Sequence, residues 1–126
     1  MEENIQKEIN GEFNGEHMLS EDGRIYPVLA NYASRSKLVE GDKLQLKIDK
    51  DKGTFYKQTG KVPRGTFPGM AVKDENGRIY VEYDGKMYKI LNAVQTFYEL
   101  EAGQEVFITI PIGREAEWAV VETVIG

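Results

Sequence analysis

Residues 23–48, GRIYPVLANYASRSKLVEGDKLQLKI, decide the fold, because residues 85–110, GKMYKILNAVQTFYELEAGQEVFITI, repeat them without a gap. Extended to Asn14–Ile48 against Asn76–Ile110, the alignment keeps Asn14/Asn76, Gly15/Gly77, Asp22/Asp84, Gly23/Gly85, Tyr26/Tyr88, Leu29/Leu91, Leu38/Leu100, Gly41/Gly103 and Ile48/Ile110. Chance at one fixed offset would give roughly two identities at ordinary residue frequencies. Alternating positions also keep apolar character, as in Ile25/Met87, Val28/Ile90, Leu44/Val106 and Leu46/Ile108. Turn chemistry and core pattern are what two copies of one fold must retain. Further on, the same offset sets Tyr56 opposite Trp118 and Val62 opposite Val124.

Each copy reads as strands. Asp22-Gly23 and Asp84-Gly85 are tight-turn signals between β-rich runs. Strands are expected near 17–20, 24–30, 43–49 and 54–62, and again near 78–83, 86–92, 105–112 and 118–125. The stretches 31–37 and 93–99 lack alternation and are expected to be loops or single helical turns. In the first ten residues only Ile5 and Ile9 stand at helical spacing, which points to a frayed tail or short helix.

The expected fold is therefore all-β: an internally duplicated, pseudo-twofold small barrel of about eight short strands. Interlocked copies could pair each other's edges and leave few exposed. The two repeats span about 12–63 and 74–126. Between them 63–73 reads as a linker, marked by Pro63, Gly65, Pro68 and Gly69.

The run Val39-Glu40-Gly41-Asp42-Lys43-Leu44-Gln45-Leu46 resembles the GD box of the cradle-loop barrels, the group that includes double-psi and RIFT barrels. In that family a Gly-Asp turn follows the crossover and enters a core strand. The second copy keeps Gly103 but has Gln104 for the aspartate. Over nearly its whole length, through YPVLANYASRSKLVEGDKLQLKI and FYKQTGKVPR, the chain also resembles small proteins of candidate-phyla (Patescibacteria-type) bacteria. That resemblance implies a bacterial origin and no established activity.

Composition removes several chemistries. The chain of 126 residues has no cysteine, so disulfides, thiolate metal sites and cysteine nucleophiles are excluded. His17 is the only histidine and aligns with Ile79, which suits a strand position better than a catalytic one. Neither GxxxxGK[ST] nor GxGxxG occurs, no glycine precedes a serine, and no carboxylate pair stands out. No enzyme, cofactor or metal is expected. The first residues lack a secretory signal pattern and no apolar run approaches the length of a membrane span, so a cytoplasmic location is expected.

The net charge of −5 conceals a polarised chain. Residues 52–73 hold Lys52, Lys57, Lys61, Arg64 and Lys73 with no acidic residue, while both ends are acidic. Aromatic residues interleave with these positives, and 31–37 repeats the theme. The candidate binding residues are Arg35, Lys37, Lys57, Lys61, Arg64, Tyr32 and Phe67. Three functions compete: a protein- or peptide-binding module, an RNA or single-stranded DNA binder stacking bases between lysines, and a small-ligand site or carboxylate-dependent hydrolase. Solvated surface is the plain reading of these charges, and the lack of a catalytic constellation together with the polarised charge favours the first of the three.

Overall fold

A computed structural model describes residues 5–126. The chain forms two antiparallel five-stranded sheets. The first holds β1 (Ile5–Phe13), β2 (His17–Ser20), β3 (Ile25–Pro27), β4 (Lys43–Asp49) and β5 (Gly53–Gly60), in the order β3-β2-β1-β4-β5. The second holds β6 (Arg64–Lys73), β7 (Ile79–Tyr83), β8 (Lys86–Lys89), β9 (Glu105–Pro111) and β10 (Val120–Val124), in the order β8-β7-β6-β9-β10. Helix α1 (Ala30–Arg35) follows β3, and α2 (Asn92–Tyr98) follows β8. No helix among the described residues is long and apolar enough to cross a membrane.

The all-β class holds, and the barrel does not. Every ladder stays within 5–60 or within 64–124, so the halves do not interlock, and neither sheet closes through a continuous ladder. Each half has its own core. Phe13, Met18, Val28, Leu38, Leu44 and Leu46 fill the first, and Val81, Ile90, Leu100, Val106, Ile108 and Val121 fill the second. Leu91 packs against both. Each core is built from one sheet together with its own helix, which contributes Ala33 in the first half and Val94 in the second, so neither half draws on a shared barrel interior.

The order of elements is the same in both halves, and so are local details. Leu29 and Leu91 both stand extended at the helix starts. The Phe13 N–H donates to the Asp42 carbonyl at 2.8 Å, and the Ala71 N–H to the Gln104 carbonyl at 2.9 Å. Of the loop or helical turn expected at 31–37 and 93–99, the structure has the helical turn, as α1 and α2.

Three expectations change. Residues 5–13 form a central strand in place of a tail or short helix; the remaining residues of that expected tail, 1–4, lie outside the described residues. Residues 64–73 form the matching central strand β6 in place of a linker. Pro68 is tolerated there because only Met70–Lys73 pair with β7, so at Pro68 the strand is bonded on the β9 side alone. The third concerns Tyr56 and Trp118. Leu46 pairs with Tyr56, while Ile108, aligned with Leu46, pairs with Val121. Tyr56 therefore corresponds to Val121, and Trp118 lies in the longer connection between β9 and β10.

Candidate binding surface

The turn into β4 organises the first half. Asp42 is fully buried. Its Oδ2 accepts the Val39 N–H at 2.9 Å and the Gln58 amide at 3.0 Å. Its Oδ1 accepts the Val62 N–H at 3.0 Å and pairs with the Arg64 guanidinium. Gln104 makes the same turn contact, its Oε1 accepting the Glu101 N–H at 2.7 Å. The Gly-Asp signature thus marks a shared turn, and the carboxylate adds a tie to the start of β6.

Four of the seven residues expected to bind are occupied within the fold. Arg64 is held by Asp42. Lys37 donates to the Val121 carbonyl at 3.2 Å and lies 3.9 Å from Glu122, which fastens α1 to β10. Tyr32 stacks on Tyr56 with ring centroids 6.0 Å apart. Phe67 stacks on Tyr83 at 4.8 Å and packs against the second core. Arg35, at the end of α1, and Lys57 and Lys61, in and after β5, are exposed. Burial pushes the Tyr56 phenol above its ordinary range, with a smaller contribution from Tyr26.

Further contacts join the halves. The Glu117 and Trp118 N–H groups donate to Glu40 Oε1 at 3.0 and 3.2 Å. Arg114 Nη2 donates to Glu12 Oε1 at 3.0 Å. Lys43, donating to Glu12 at 2.8 Å, is the main cause of a lowered Glu12 pKa, and Arg114 adds to it against the opposing effect of burial.

Each sheet carries an open groove at a corresponding place. One, of about 410 Å³, is lined by Asn10, Glu12, Leu19, Ser20, Lys43 and Thr59. The other, of about 360 Å³, includes Met70, Glu82, Tyr83 and Glu105. Lys43 is thus matched by Glu105, so the two grooves differ in charge. Among the described residues, no group of three or more acidic or histidine side chains is placed to hold a metal ion.

The clearest difference between the halves is how their sheets end. In the second, the Lys89 N–H donates to the Glu117 carbonyl at 2.8 Å, and the Ala119 N–H donates to the Lys89 carbonyl at 3.0 Å. This parallel bridge of Lys89 to Trp118 draws β8 against the segment leading into β10. The Lys89 ammonium also lies over the Trp118 ring, 5.7 Å from its centroid. The position aligned with Lys89 is Pro27, which has no N–H to donate. There, among the described residues, the hydrogen bond across is that of the Tyr56 hydroxyl, donating to the Pro27 carbonyl at 2.7 Å.

β5, like β10, is the last strand of its sheet, and among the described residues no bridge like that of Lys89 to Trp118 stands beside it. Among the described residues no backbone–backbone hydrogen bond beyond the β4 ladder reaches Gly53–Gly60. The Tyr32 hydroxyl touches the Tyr56 carbonyl at 3.5 Å. The edge of β10 is treated differently, since Lys37 caps the Val121 carbonyl. Along β5, Phe55 and Lys57 pair with Lys47 and Gln45, the outward-facing residues of β4, and both are exposed. Nothing in the sequence pattern marks the edge itself, although Pro27 stands against Lys89 in the alignment.

No protein-family model, curated protein or solved structure matches the chain.

Proposed function

We propose that this is a non-enzymatic binding module of the bacterial cytoplasm, made of two copies of one unit, in which the first copy receives an extended protein segment on β5. The observation that carries this reading is the unmatched closure: Lys89 bridges to Trp118 in the second half, and Pro27 makes no such bridge in the first. The shared order of elements and the shared turn at Asp42 and Gln104 support the duplication. An open strand edge offers unused N–H and C=O groups, and added strands draw their affinity from that ladder. The GD-box resemblance to cradle-loop barrels extends to the turn chemistry alone.

A test is a titration with an extended peptide of about eight residues, the length of β5, followed by amide hydrogen exchange. Binding at β5 should slow exchange at residues 53–60 and leave β10 unchanged. Pro27→Ala, which supplies the missing N–H, should weaken binding by helping the first sheet to close. Absence of any protection at β5 with peptide near about 1 mM, the weak end of specific recognition, would remove the proposal.

Phe55 and Lys57, exposed side by side on one face, favour single-stranded nucleic acid as a second reading, with a base on the ring and a phosphate on the ammonium. A nucleic acid cannot continue the backbone ladder of β5, so it leaves the edge unexplained.

A further inference from the structure

Resting on that reading of β5, we infer that the added segment is acidic, with carboxylates placed to meet Lys57 and Lys61. The first sheet already pairs charge from strand to strand. On β4, Lys43 meets Glu12 of β1 at 2.8 Å, and Lys47 approaches Glu8 of β1 at 3.8 Å. The next strand outward repeats the cation at Lys57, with Lys61 just beyond its end. Neither has an acidic partner among the described residues, because no strand lies beyond β5 to supply one. An acidic strand there gives Lys57 and Lys61 cross-strand partners of the kind that Glu12 and Glu8 give Lys43 and Lys47.

The same lysines decide against other occupants. Residues 52–73 contain no acidic side chain, so pairing β5 with β5 of a second copy brings cations together with nothing to neutralise them. Like charges across a ladder are destabilising, and edge lysines commonly discourage self-association. They exclude a second copy while admitting a segment of opposite charge, and this discrimination works through repulsion as much as attraction. Phe55, two residues from Lys57 on the same face, offers an apolar surface to one side chain of the segment.

The experiment compares a peptide of alternating Glu and Val, its Gln-for-Glu counterpart, and an oligothymidylate of similar length, each titrated into the full chain. Affinity and amide exchange at residues 53–60 are read together. The Glu peptide should bind about tenfold more tightly than the Gln peptide, the scale of two cross-strand charge pairs, and protect β5. Its advantage should shrink as salt rises toward about 0.5 M. The double variant Lys57→Glu/Lys61→Glu, altered at exposed positions, should reverse the preference toward a Lys-Val peptide while keeping the exchange pattern elsewhere. Equal binding of the Glu and Gln peptides at β5 overturns the acidic inference and leaves the edge reading standing. Protection of β5 by neither peptide overturns both. Binding of the oligothymidylate alone overturns both and assigns the lysines to phosphate.

Discussion

Arg64 donates to the carboxylate of Asp42, a side chain with no exposed surface, and so ties the first residue of β6 to the turn that opens β4. Removing one member of such a pair strands the other. Asp42→Ala also abandons the Val39 and Val62 N–H groups. The expected loss is about 3–5 kcal/mol. Gln104→Ala removes a single turn contact with Glu101 and should cost about 1 kcal/mol. Urea denaturation of the two variants measures the gap, and equal losses would contradict the special place given to Asp42.

Leu29 and Leu91 are aligned, yet Leu91 is partly buried and Leu29 is not. Leu91 packs against both cores, whereas Leu29 is 76% exposed. Leu91→Ala should lower stability by about 2 kcal/mol, and Leu29→Ala should fall within about 0.5 kcal/mol of the parent. Thermal unfolding of both variants checks the contrast.

Gly15 and Gly77 also align, and both have positive φ. A Cβ at Gly77 meets nothing within 4 Å, so Gly77→Ala should cost about 1–2 kcal/mol from backbone conformation alone. At Gly15 the added carbon would lie 2.1 Å from the Trp118 ring. Gly15→Ala should therefore lose clearly more stability and displace Trp118 from the junction of the halves. Tryptophan fluorescence reports the displacement directly, since Trp118 is the only tryptophan.

Glu12 gives the stability a defined response to acid. Lys43 and Arg114 lower its pKa in the folded chain, so its stabilising contribution is present above the unfolded carboxylate value, about 4.3. It is lost as pH falls through the folded value. The stability gap between the parent and Glu12→Gln should narrow as pH drops below about 4. A gap unchanged between about pH 7 and pH 3 would show that the charge is not involved.

The β hairpins were legible because each is a local pattern, whereas 31–37 and 93–99 could be read only as loops or single helical turns. Asp-Gly turns and alternation in KLQLKI need no distant partner to be recognised. β1 was not legible. Its apolar residues Ile5, Ile9 and Phe13 are four apart, with Lys7 and Gly11 at the intervening alternate positions, so the run imitates a helix. Its partner β4 is more than thirty residues away in sequence, as the pairing of Gly11 with Leu44 shows. β6 was concealed by Pro68, which is acceptable only because β7 begins pairing after it.

The candidate surface divides in the same way. Sequence alone established a basic middle between acidic ends and proposed seven residues, because charge and side-chain type are one-dimensional facts. Which of those charges remain available was decided by tertiary structure. Arg64 and Lys37 are drawn into long-range bonds with Asp42 and Val121, while Lys57 and Lys61 are exposed beside an edge. The unmatched bridge beside that edge depends on one residue type read in its spatial setting. Proline at 27 is plain in the sequence, but that its missing N–H forgoes a bridge depends on where Lys89 and Trp118 meet in the other half.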